Sequence, residues 1–95
     1  MDFGPLFITA GIAQAARDDV GFLSEILECL RRYQLGDWGD LCPEDIQLNE
    51  AALKTGARLM GAYTTKRGGN IWIITEAADD NGQRAATTVL LPDEY

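Results

Sequence analysis

The chain has no histidine among its 95 residues. It therefore lacks the commonest general base and the commonest transition-metal ligand. Ser-His-Asp and Cys-His nucleophilic systems are excluded with it. Cysteine is scarce, with only Cys29 and Cys42. Without histidine the pair cannot form a standard structural zinc site, and secreted disulfide frameworks carry more thiols. Two free thiols in a reducing compartment are expected. Basic residues are few as well: 8 against 15 acidic, for a net charge of −7. Their only clusters are Arg31-Arg32 and Lys66-Arg67, which is no basic stripe, so direct nucleic-acid binding is not expected. Neither a Walker A pattern nor GxGxxG occurs, and Gly68-Gly69 reads as a turn between strands. Residues Phe3 to Ala16 carry no charge. Ala13-Gln14-Ala15 has the spacing of a signal-peptidase site, but the basic n-region is missing. No apolar run is long enough to cross a bilayer. These absences lead to the expectation of a non-enzymatic, cytoplasmic protein with no cofactor and no metal.

What is present reads as one α+β domain. Its length suits a single domain with a thin core. Phe3 to Thr9 reads as a short strand, and Ile12 to Arg17 as one or two helical turns. Asp18 and Asp19 are N-cap candidates for a helix whose inner face is Phe22, Leu23, Ile26, Leu27, Leu30 and Tyr33. Gly36 ends that helix. A second long helix runs from Pro43, at N1, to Thr55, with Gly56 as its stop. Glu44 and Asp45 favour its dipole, and Leu41 and Ile46 are placed as a hydrophobic staple. Arg58–Thr65, Asn70–Glu76 and Ala85–Leu91 read as three strands. Leu59, Gly61 and Tyr63 share one face, and so do Ile71 and Ile73. Asp79-Asp80-Asn81-Gly82 is a hairpin signal, with Asn-Gly suited to a type I′ turn. The expected order is β-α-α-α-β-β-β: an antiparallel three- to four-stranded sheet with the helices on one face. The second face of such a sheet stays partly open, which makes Trp72 or Tyr63 a candidate for an exposed partner-binding surface, although the core is the expected place for Trp72.

Carboxylates are the only plentiful reactive groups. Asp37, Asp40, Glu44 and Asp45 crowd one loop and the helix start after it, without the spacing of a calcium loop. Helix capping, turn formation and solvation are the expected readings of these groups, since nothing specifies a metal site or a carboxylate-pair hydrolase. Trp38, between Gly and Asp residues, either anchors its loop to the core or stands out as a binding hot spot. The candidate partner-binding residues are Asp37, Trp38, Asp40, Glu44 and Glu76.

Several segments carry a family resemblance when taken together. They are Gly36-Asp37-Trp38-Gly39-Asp40, Pro43-Glu44-Asp45, Asn49-Glu50 with Ala52-Leu53, Trp72-Ile73-Ile74-Thr75-Glu76-Ala77, and Thr87-Thr88-Val89-Leu90-Leu91-Pro92 with Tyr95. The combination resembles a family of small, uncharacterised "plasmid-related" proteins of bacterial plasmids, integrative elements and prophages. It covers most of the chain from about Leu6 onward. Ala78 to Arg84 makes a longer hairpin than that family tends to have, and Cys42 stands where an acidic or hydroxyl cap would be stronger. The resemblance implies a mobile-element setting in a bacterial host but no activity and no catalytic residues. With the charge, it leads to the expectation of an inhibitor of host defence, of anti-CRISPR or anti-restriction type. Such an inhibitor would present carboxylates in place of phosphate to a basic nucleic-acid-binding effector. Two alternatives stand beside it. One is an accessory regulator or conjugation adaptor, with a homodimer formed through the sheet. The other is an enzyme using Glu76 or Asp37.

Overall fold

Alternating side chains in the last third of the chain build the sheet. The computed structural model describes residues 3–95. Its elements are β1 (Leu6–Ile8), α1 (Ala10–Asp18), α2 (Val20–Gln34), α3 (Pro43–Thr55), β2 (Leu59–Thr65), β3 (Gly69–Thr75) and β4 (Thr87–Leu90), closed by a 3-10 turn at Pro92–Glu94. The α+β order is the expected one. β2, β3 and β4 form the antiparallel meander, and β1 lies beside β4, giving the strand order β1-β4-β3-β2. β1 runs parallel to β4, so the sheet is mixed and not antiparallel throughout. Connectivity explains this. β2 and β4 both run against β3, and β1 runs with them. The passage from β1 to β2 at the opposite edge is therefore a crossover through the three helices, as strands of like direction require.

The period-2 pattern sorts the two faces as expected. Leu59, Tyr63, Ile71, Ile73 and Val89 are fully or almost fully buried on one face, against Ile12 of α1 and Phe22, Ile26, Cys29 and Tyr33 of α2. Asp19 caps α2, its Oδ1 accepting from the Gly21 and Phe22 amides. Glu25 accepts from the amides of Lys66 and Arg67, which ties α2 to the β2–β3 turn. Cys42 gives α3 no side-chain cap.

The hairpin between β3 and β4 departs from the type I′ expectation. Only Gly82, at φ 77°, is left-handed there, and among the described residues no non-glycine has positive φ. Asp79 organises the turn instead, its Oδ1 accepting from the amides of Asn81 and Gln83. That side-chain acceptor holds Asn81 at negative φ. Arg84, buried at the base of the turn, donates to the carbonyls of Ala52, Ala57 and Glu76 and so fastens the hairpin to the C-terminal end of α3.

A chain of hydroxyls crosses the core. The Thr87 hydroxyl donates to the Phe3 carbonyl at 2.6 Å. Its single hydrogen is thereby used, so the 2.7 Å contact with Thr75 has Thr75 as donor. By the same logic the Tyr33 hydroxyl donates to Thr75, also at 2.7 Å. Burial raises the Tyr33 phenol to about 12 from its ordinary 10.0.

Candidate functional site

Three of the expected site residues lie in the loop before α3, and the free edge of β2 explains how they are held. Even-numbered residues of β2 point their backbone groups away from β3. Ala62 pairs there with the loop: its amide donates to the Trp38 carbonyl at 3.1 Å, and its carbonyl accepts from the Asp40 amide at 2.7 Å. Gly39, at φ 78°, makes the approach feasible, because a Cβ at that position would collide with the Ala62 carbonyl. Beside it, the Asn49 side chain of α3 covers Met60. It donates to the Met60 carbonyl at 2.6 Å and accepts from the Met60 amide at 3.2 Å. An edge that would otherwise recruit another strand is thus closed by a loop and one amide side chain.

Trp38 is the anchor of this loop. It is 3% exposed, stacks edge-on against Tyr33 at 5.3 Å, and donates through Nε1 to Glu50 at 3.1 Å. The expectation of an exposed hot spot is therefore corrected: the indole is buried in the core against Tyr33. Asp37 pairs with Arg32 at 2.7 Å and accepts from the Gly39 amide, and these contacts hold its carboxyl below the ordinary range. Its carbonyl also accepts from the Tyr63 hydroxyl, on a ring over which Arg32 stacks. Asp40 is exposed and accepts from the Thr64 hydroxyl at 2.8 Å.

Glu44 is exposed in the first turn of α3, where the helix-start amide and then the Cys42 thiol lower its carboxyl. Glu76 is exposed but stands apart. Its carbonyl shares Arg84 with the Ala52 carbonyl of α3, which lies roughly 12 Å along that helix from Glu44. Asp37, Asp40 and Glu44 are neighbours along one segment; Glu76 does not join them. Among the described residues, no group of three or more Asp, Glu or Cys side chains is placed to hold a metal ion. No helix among the described residues is long and apolar enough to cross a membrane.

The surface beside this segment is an open groove of about 370 Å³ between α3 and the second face of the sheet. Met60 and Trp72 form its floor, Leu41, Leu48 and Asn49 line the α3 side, and Asp45, Arg58 and Tyr95 complete it. Tyr95 stacks on Trp72 at 5.6 Å, and the Arg58 guanidinium lies 5.2 Å from the Tyr95 ring centre. Leu48 is 67% exposed and Tyr95 70% exposed. Asp45 and Arg58 are the charged residues of the lining, and Asp40 stands on the same sheet face through Thr64. The sequence favours the core for Trp72, whereas the structure leaves it half-buried on the face opposite Ile71 and Ile73. The contribution of Tyr95, Arg58 and Leu48 had no local signal, because chain folding alone brings them together. Tyr63, the other aromatic candidate for the open face, is 1% exposed and belongs to the core.

Comparison with protein families, curated proteins and solved structures returns no match.

Proposed function

We propose that the protein is a non-catalytic binding module that occupies the surface of another protein through the groove between α3 and β2–β3. The observation that carries this reading is the composition of the groove: a Trp72–Tyr95 aromatic pair and an exposed Leu48, framed by Asp45 and Arg58. Aromatic and aliphatic anchors framed by polar groups are the usual make-up of a binding hot spot. The net charge of −7 directs it to a basic partner, whose approach that charge accelerates. In the mobile-element setting that the resemblance implies, the partner is a host defence effector with a nucleic-acid groove, and the carboxylates take the place of phosphates. The inhibitor reading rests on that setting; the binding reading rests on the groove.

The test is a plasmid-challenge assay in a host carrying a defined CRISPR or restriction system, joined to binding measurements with the isolated effector. Leu48→Glu changes an exposed side chain and leaves the core intact. It is expected to weaken binding by at least about tenfold, the effect of losing one modest hot spot. Unchanged protection by Leu48→Glu, or no protection by the native chain against any such system, would contradict the proposal.

A further inference from the structure

The two edges of the sheet are treated differently. β2 is covered by the 38–40 loop and Asn49. β1, at the other end of the strand order, has no strand beside its outer side among the described residues. The Thr87 amide donates to the Pro5 carbonyl and the Thr9 amide to the Val89 carbonyl, so the odd-numbered residues face β4. By alternation, the backbone groups of Leu6 and Ile8 point outward. Their side chains are about half exposed, at 53% and 48%, and Phe7 between them is at 54%. The strand is short and follows Pro5, which limits this edge, but no charge and no bulge lie within Leu6–Ile8.

We infer that β1 pairs antiparallel with β1 of a second copy of this chain, about a two-fold axis at Phe7. That register is the one that uses every outward group. Leu6 faces Ile8 of the second copy and Ile8 faces its Leu6, giving four backbone hydrogen bonds. Phe7 faces Phe7 in a non-hydrogen-bonded pair, where side chains are closest. The patch is thus self-complementary, as a two-fold contact requires. Charge also favours a second copy over the basic partner proposed above. The segment from Phe3 to Ala16 carries no charge of its own, and the Glu94 carboxylate beside its Thr9 is engaged by the Thr9 hydroxyl and the Gly11 amide, so the strand itself recruits no cation. A three-residue edge is far smaller than a standard interface of roughly 1,600 Å², so the dimer is weak and concentration-dependent. Two chains of −7 repel at long range, so added salt strengthens the contact.

Sedimentation of the full chain over a concentration series, at low and high salt, tests this. The expected result is a mass that climbs toward twice the monomer with concentration, and more steeply in high salt. Phe7→Lys places like charges face to face and is expected to weaken the dimer at least about tenfold. Phe7→Cys in a Cys42→Ser background is expected to cross-link as a covalent dimer when a thiol oxidant is added, which tests the register independently of the lysine variant. A chain that stays monomeric at millimolar concentration in high salt overturns the inference. So does a dimer indifferent to Phe7→Lys, or a failure of Phe7→Cys to cross-link. None of these outcomes bears on the groove.

Discussion

Asn49→Ala isolates the device that closes the β2 edge. The side chain is 5% exposed and makes two hydrogen bonds to Met60, at 2.6 and 3.2 Å. A net contribution of roughly 0.5–1.5 kcal/mol for each bond gives a loss of about 1–3 kcal/mol for the pair. The upper part of that range applies if water does not reach the bared Met60 groups, since an unsatisfied buried group carries its full desolvation cost. In a domain of this size 1 kcal/mol corresponds to about 4–8 °C, so the melting temperature falls by roughly 5–20 °C. Thermal and urea unfolding measure the loss, and amide hydrogen exchange locates it. The Met60 amide loses protection, while the Ala62 amide, held by the Trp38 carbonyl, keeps most of its own. A loss below about 0.5 kcal/mol would be less than one ordinary hydrogen bond, and with unchanged Met60 exchange it would refute the edge-closing role.

Further outcomes follow from the polar core and its titration. Thr75→Val leaves the Tyr33 hydroxyl with no acceptor inside the core, whereas Tyr33→Phe removes only the outermost donor. Thr75→Val is therefore expected to cost about 1–3 kcal/mol and Tyr33→Phe about 1 kcal/mol or less, an order that urea denaturation reads directly. Equal costs, or the reverse order, would contradict the donor direction assigned to the chain. The Tyr33 phenol, raised in the fold to about 12 from 10.0, contributes stability that is complete below pH 10 and is lost as the pH climbs toward 12. Alkaline unfolding is checked against Tyr33→Phe, which should show a smaller loss over that window. Asp37 behaves oppositely. Its carboxyl is lowered by Arg32 and the Gly39 amide, so its contribution is present above the ordinary carboxylate range and fades as acid titrates it below that range. Asp37→Asn is expected to reduce the acid sensitivity of unfolding.

The parts of the fold that were legible are those with a strong local period or a strong punctuation. The stripe from Phe22 to Tyr33 gave α2, Pro43 and Gly56 framed α3, and the alternation from Leu59 to Ile73 sorted the two sheet faces. β1 could be recognised as a strand, but its partner and direction depend on where a three-helix crossover delivers the chain, which no local pattern encodes. The hairpin was misread because Asn-Gly is a strong turn signal in isolation, while the Asp79 carboxylate two residues earlier competes for the same amides. At the candidate site, Trp38 illustrates an ambiguity inherent in its chemistry: an indole suits a core as well as an interface, and only the position of Tyr33 decides between them. Asn49 did carry a signal. It sits three residues from both Ile46 and Ala52, a polar residue on the inward stripe of α3, and such a residue needs partners on the element it packs against.

The proposed seat of a basic partner is the groove between α3 and the sheet. A photo-crosslinking residue placed at Leu48, and for comparison at the exposed Ser24 of α2, tests it in the native host. The account predicts one dominant adduct from position 48, to a protein with a basic surface, that is lost in high salt and in Asp45→Lys and is absent from position 24. Adducts of equal yield from both positions, or an adduct at position 48 indifferent to salt and to Asp45→Lys, would contradict it.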